Sequence, residues 1–197
     1  MKKYDLTPYE VNGTSLIAFL KAMGAHHTLG QKILNEVQLG AKDSKGNYEI
    51  ESDKWYPMQK GIEVYQKVMD QVGPRTLKNL GMKIPETAIF PPHIVDIHTA
   101  IESTNVAYHM NHRKNGVIMF DPATGKKLDG IGYYGYEAVA GQKKIISVCE
   151  NPYPSELDEG IILGLARRFE PDAMVTLAAD KPTRKNGGDS CTYIITW

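Results

Sequence analysis

The sequence has 197 residues, with 23 Lys+Arg against 23 Asp+Glu and a formal net charge of +0. That balance excludes a basic nucleic-acid arm or a polybasic membrane tether as its main business. With 42% hydrophobic and 23% charged residues, the chain has the apolar content of a globular domain and lies outside the disordered class.

The length suits one domain, residues 1–197, since single domains run to roughly 250 residues. Two cysteines, Cys149 and Cys191, are too few for a disulfide framework, and no apolar leader behind basic residues is legible. The expected compartment is therefore the cytoplasm. No apolar run approaches the roughly 20 residues that cross a bilayer, so no membrane partner is expected.

Helices dominate the first part. Residues 14–23 place Leu16, Ile17, Phe19 and Leu20 behind a Thr14/Ser15 cap, with Gly24 where a helix would stop. Residues 28–39 repeat the plan with Leu29, Ile33, Leu34 and Val37. Asp53 ahead of Pro57 predicts a helix start that takes Trp55 and Tyr56 with it. Ile62, Tyr65, Val68, Met69 and Val72 then recur at helical spacing to Gly73-Pro74. A short helix over 74–82, an extended linker over 85–92 and a helix over 92–112 complete this part.

The grammar changes after Asn115-Gly116. Strands are predicted over 117–120, 131–139 and 143–149, then a helix opened by Ser155 with Asp158 at its third position, then a hairpin of 173–179 and 191–197. The order predicts an α+β fold, with a helical subdomain (1–112) packed on a five-stranded antiparallel sheet carrying one helix (113–197). A parallel nucleotide-binding sheet is not expected, because the strands do not alternate with helices.

Few motifs carry chemistry. Gly130-Ile131-Gly132-Tyr133-Tyr134-Gly135 spells G-x-G-x-x-G, yet it lies inside a predicted strand instead of between a strand and a helix, so the glycines read as bends or as room over the sheet. Four of the six histidines, His93, His98, His109 and His112, fall on the helix near position 100. His109 and His112 could share a metal at i, i+3, but capping of the helix end explains them as well. His98, among Ile94, Ile97 and Ile101, reads as a hydrogen-bonded core histidine or as a proximal haem ligand. Glu156, Asp158 and Glu159 suit the dipole of the last helix, and Arg167-Arg168 read as a solvated face. No acid/base pair or activated thiol is legible, so an enzyme is not expected.

A resemblance enters at the C-terminus. Asn151-Pro152-Tyr153-Pro154, Asp158-Glu159-Gly160, Arg167-Arg168-Phe169 and residues 180–197 resemble the closing helix and hairpin of the 4-vinyl reductase family. That family is similar in architecture to the haem-nitric-oxide/oxygen binding (H-NOX) domains, and both serve as sensory modules. The vinyl-reductase side implies a metal held by cysteines of the hairpin. Cys191 is kept but Thr183 stands where another cysteine belongs, so zinc is not expected. The H-NOX side implies haem, with His98 as its axial ligand. The Tyr-x-Ser-x-Arg signature that grips haem propionates in that family is missing.

The resulting expectation is a bacterial-type sensory domain that holds a small apolar or aromatic ligand between the helical layer and the sheet. Trp55, Tyr56, His98, Tyr108, His109, Tyr133 and Tyr136 are the expected lining residues. Its partners would be that small molecule and a signalling effector outside these residues, or a second copy in a homodimer, with no nucleic acid. The alternatives are a haem-based gas sensor using His98 and a small tetrapyrrole- or aromatic-processing enzyme.

Overall fold

A computed structural model describes residues 4–197. The first segment contains β1 (Tyr9–Asn12), α1 (Gly13–Ala22), α2 (His27–Val37), β2 (Ala41–Lys42) and β3 (Tyr48–Glu49). Next come β4 (Trp55–Pro57), α3 (Met58–Val72), α4 (Pro74–Lys83) and α5 (Ile97–Met110). Short strands follow: β5 (His112–Lys114), β6 (Val117–Ile118), β7 (Phe120–Asp121), β8 (Lys126–Lys127), β9 (Tyr133–Tyr134) and β10 (Glu137–Ala138). The chain closes with β11 (Lys144–Glu150), α6 (Ser155–Phe169), β12 (Met174–Leu177) and β13 (Cys191–Thr196).

The expected α+β architecture is present, with a five-stranded antiparallel sheet. β11 and β13 are its long central strands, β12 flanks β13, and β9 and β10 both pair with β11. The alternating burial of β11 and β13 puts Ile145, Cys149, Tyr193 and Ile195 on the core face. Cys149 and Cys191 stand directly opposite each other, buried and free.

A second, four-stranded sheet in the order β4-β1-β5-β6 was not expected. It draws β1 and β4 out of the front half, which the sequence reading made all-helical, and takes the predicted strand over 117–120 away from the main sheet. Trp55 and Tyr56 belong to β4 and not to the start of α3. Pro57 disfavours the α region at the residue before it, and β1 supplies pairing for the extended alternative. Glycines divide the predicted strand over 131–139: Gly132 has φ +83, and a Cβ there would lie 1.8 Å from the Glu150 carbonyl oxygen.

Local chemistry places the helices that matter below. Asn12 caps α1 by accepting from the Ser15 amide at 2.8 Å. Asp96 and Thr99 form a reciprocal capping box, so α5 starts at Ile97 and not at the prolines before it. α4 and α6 cross almost backbone to backbone. A Cβ on Gly160 would lie 2.2 Å from the Lys78 carbonyl oxygen, and one on Gly164 would lie 2.3 Å from that of Met82. Only hydrogen fits at these positions. No helix among the described residues is long and apolar enough to cross a membrane.

Because the neighbours of Gly160 are backbone atoms that cannot swing aside, Gly160→Ala is expected to cost at least about 1–3 kcal/mol of stability. A drop in the urea midpoint with little change in slope would show it. An unchanged midpoint would mean that the two helices separate easily.

Candidate functional site

One cavity of about 530 Å³ opens between α1, the segment 84–90, α5 and α6. Its walls are mainly apolar: Val11, Ile17 and Ala18 on one side, Ile84, Pro85 and Phe90 on another, and Leu157, Ile161 and Leu165 from α6. α5 contributes Ser103, Thr104, Ala107, Tyr108 and Asn111, which share one helix face. Exposed lining residues, among them Lys21, Ile89 and Ala107, mark the mouth.

The segment 84–90 needs an anchor to serve as a wall. Arg168 supplies it, donating to the carbonyls of Pro85 at 2.5 Å, Glu86 at 3.4 Å and Ala88 at 3.2 Å, with its guanidinium 4.3 Å from the Phe90 ring centre. Its neighbour Arg167 donates to the Ala173 carbonyl at 3.1 Å. Both arginines are exposed, as expected from sequence, and they also hold backbone carbonyls.

The cavity floor is polar and satisfied within itself. His112 Nδ1 lies 2.6 Å from the Tyr108 carbonyl, which can only accept, so that nitrogen carries the proton. Nε2 is then the acceptor for the Tyr153 hydroxyl at 2.6 Å. Burial pushes the His112 imidazole down to about 4, against the opposing effect of the Tyr108 carbonyl, so the ring is neutral at physiological pH. The Tyr108 hydroxyl donates to the Ile131 carbonyl at 2.8 Å. Burial pushes the Tyr108, Tyr134 and Tyr153 hydroxyls upward, which keeps all three phenols protonated.

Behind the floor lies a buried ion pair. Asp158, fully buried on the first turn of α6, accepts from Arg184, from the Tyr134 hydroxyl and from Asn151 Nδ2 at 3.1 Å. Burial pushes its carboxyl upward, opposed by the Arg184 charge and these donors. Burial also works against the Arg184 charge, but Asp158 and Cys191 together more than offset it and the guanidinium stays charged. Arg184 reaches further, to the Asn151 carbonyl at 2.6 Å and the Tyr153 carbonyl at 2.9 Å. Thus the loop between β12 and β13 is tied to the wall that holds Tyr134 and Tyr153. Asp158, expected to serve the helix dipole, instead turns inward to this network.

Of the seven expected lining residues, Tyr108 lines the cavity. Tyr133 is exposed, because alternation along β9 turns it outward and turns Tyr134 inward. Tyr136 and His98 bond each other at 2.9 Å, and His98 packs 5.3 Å from the Trp197 ring. His98 lies nine residues before Ala107, and at about 100° per residue that places it on the opposite face of α5 from the cavity. His109 donates to the Asn105 carbonyl at 2.8 Å, a helix-end role. Trp55 stacks 4.9 Å from the Arg113 guanidinium, itself bound to Glu10, and Tyr56 accepts from the Glu51 amide at 2.8 Å, so both serve the four-stranded sheet. Sequence reasoning missed Tyr134, Tyr153, Asn111 and Lys21 as lining residues. A one-residue shift of strand parity would have found the first.

No protein-family model matches the sequence, and no curated protein matches it. Solved structures do. An H-NOX protein from S. oneidensis in the Fe(II) ligation state, a triple-alanine variant, superposes with a TM-score of 0.62 at 14% identity, covering 94% of this chain and 95% of that one. The fold is that of the H-NOX domains. An unliganded Fe(II) H-NOX variant from K. algicida gives a TM-score of 0.56 at 13% identity over 94% of this chain and 95% of its own. An oxygen-binding H-NOX domain related to soluble guanylate cyclases gives 0.56 at 13% identity, covering 94% of each chain. These likenesses support the H-NOX side of the resemblance and give no support to its vinyl-reductase side.

The fold raises the question of haem, and the side-chain chemistry answers it. Axial ligation needs an imidazole, thiolate or phenolate with a free lone pair facing the cavity. His112 is the histidine that lines it, and both its nitrogens are engaged. The lining phenols are protonated, and no cysteine lines it. The residues present do not fit a haem iron. Among the described residues, no group of three or more His, Cys, Asp or Glu is placed to hold a metal ion.

Two outcomes follow from this polar floor. Arg184→Met strands the Asp158 carboxylate and should cost about 3–5 kcal/mol. Adding Asp158→Asn should recover much of that loss in urea unfolding, and an equally unstable double variant would show that the pair is not the source. His112, neutral in the fold and protonated near pH 6.5 when unfolded, contributes stability that is complete above about pH 6.5. That stability is lost as pH falls toward about 4, by up to about 3 kcal/mol. The wild-type minus His112→Gln difference in unfolding free energy should therefore shrink across that window.

Proposed function

We propose that the chain is a sensory ligand-binding domain that holds a small, largely apolar or aromatic molecule in the cavity and reports occupancy to an effector. The observation that carries this reading is the cavity itself: about 530 Å³ between α1, segment 84–90, α5 and α6, with apolar walls over a polar floor whose hydrogen bonds are already made. Its volume lies within the roughly 300–1,000 Å³ typical of small-molecule sites. A floor that asks nothing of its guest favours apolar groups, which displace water without stranding a donor or acceptor.

Reporting requires that the ligand favour one of two arrangements, since equal affinity for both shifts nothing. The wall carries a route outward. Tyr134 and Tyr153 face the cavity and are joined through Asp158, Asn151 and Arg184 to the loop between β12 and β13. A guest that displaces either ring acts on that loop through hydrogen bonds already in place. The solved H-NOX domains hold Fe(II), one with nitric oxide, and another binds oxygen; for this chain the donor set favours a guest held without a metal bond.

Native mass spectrometry of freshly purified protein should find a retained small molecule, and Ala107→Phe, which fills the mouth from an exposed helix position, should abolish it while the melting temperature of ligand-free protein stays unchanged. Retention by the filled variant would remove the cavity from the account. The same preparation separates the gas-sensor alternative, because haem addition should produce no Soret band. A Soret band lost in His98→Ala would favour haem and overturn the reading.

A further inference from the structure

The polar groups at the cavity are unequal in sign. No aspartate or glutamate lines it, and Lys21, exposed on the cavity face of α1, lines its mouth and also borders a neighbouring hollow that Glu49 lines. The Lys21 ammonium has no ion-pair or hydrogen-bond partner among the described residues. The second uncommitted group is also a donor. The Ser15 amide donates to Asn12 Oδ1 at 2.8 Å, which fixes the orientation of the Asn12 side chain, so Asn12 Nδ2 donates to Asn111 Oδ1 at 2.7 Å. The acceptor of Asn111 is thereby used, and its Nδ2 is left to donate.

A site with apolar walls, one unpaired cation and a spare donor, and with no carboxylate, discriminates by charge. A cationic guest would meet Lys21 with like charge and find no counter-ion. A neutral guest would leave both donors to water. An anionic head group satisfies the ammonium while its apolar body fills the interior. We infer that the ligand is an organic anion with an apolar body, its carboxylate seated against Lys21 at the mouth and its hydrocarbon or aromatic portion inside. This rests on the cavity being a ligand site. At roughly 30 Å³ per water-sized unit, the space of about 530 Å³ corresponds to about 18 such units, the scale of a medium-chain fatty acid or a substituted aromatic acid.

The test compares three probes of one shape and different charge, namely decanoate, decanol and decylamine, by calorimetric titration of the full chain at low salt. Decanoate should bind about tenfold more tightly than decanol, and decylamine most weakly, with the decanoate advantage falling as salt is added. Lys21→Met keeps the aliphatic stem and removes the charge, so it should erase the advantage of decanoate over decanol. Equal binding of decanoate and decanol to the wild type, or an advantage that survives in Lys21→Met, would overturn the anion while the ligand-binding reading stands. Failure of all three probes to bind would overturn both.

Discussion

The buried contact between Asp158 and Arg184 is the constraint on which the site depends. A carboxylate with no exposed surface at the start of α6 is tolerable only with a counter-ion and donors around it. Supplying them recruits residues distant in sequence: Tyr134 from β9, Asn151 from the turn after β11, and Arg184 from the loop after β12. Once these are in place, the Tyr134 and Tyr153 rings have little freedom, and with them the floor of the cavity. His112 extends the same logic on the α5 side by donating to a carbonyl and accepting from Tyr153.

The polar and apolar parts of the site divide the labour. The floor spends its hydrogen bonds internally, so it sets shape without offering attachment points. The uncommitted donors lie elsewhere, one at the mouth on α1 and one on Asn111 at the end of α5. The α1 cap and the α5 terminus are linked by the Asn12–Asn111 bond, so the cavity is framed by a closed circuit of contacts.

Much of the architecture was legible in sequence because it rests on periodicity and punctuation. The helices ended near their glycines, and four of the five expected strands fell in the main sheet because alternation broken by turn residues marks them, although glycines divide one of the four in two. The misses have physical causes. β1 runs directly into α1 with no turn residue between them, and Trp55–Pro57 carries a proline that serves a strand end as well as a helix start. Site residues were harder, since the choice between Tyr133 and Tyr134 is one of strand parity, which depends on pairing with β11. Similarly, His98 lies on the correct helix, but its face was set by the Asp96–Thr99 cap and by Tyr136 and Trp197, partners distant in the chain.

The glycine contact between α4 and α6 bears on how the cavity can adapt. Helices that meet with their main chains nearly touching have no side-chain cushion to compress and no room to slide, so the α6 wall behaves as a stiff anvil. The opposite rim, made of α1 and the segment 84–90, which Arg168 and the Phe90–Phe169 ring contact help to hold, is the softer jaw. Differences in guest size must therefore be absorbed on that rim, and any strain from an oversized guest will appear there first.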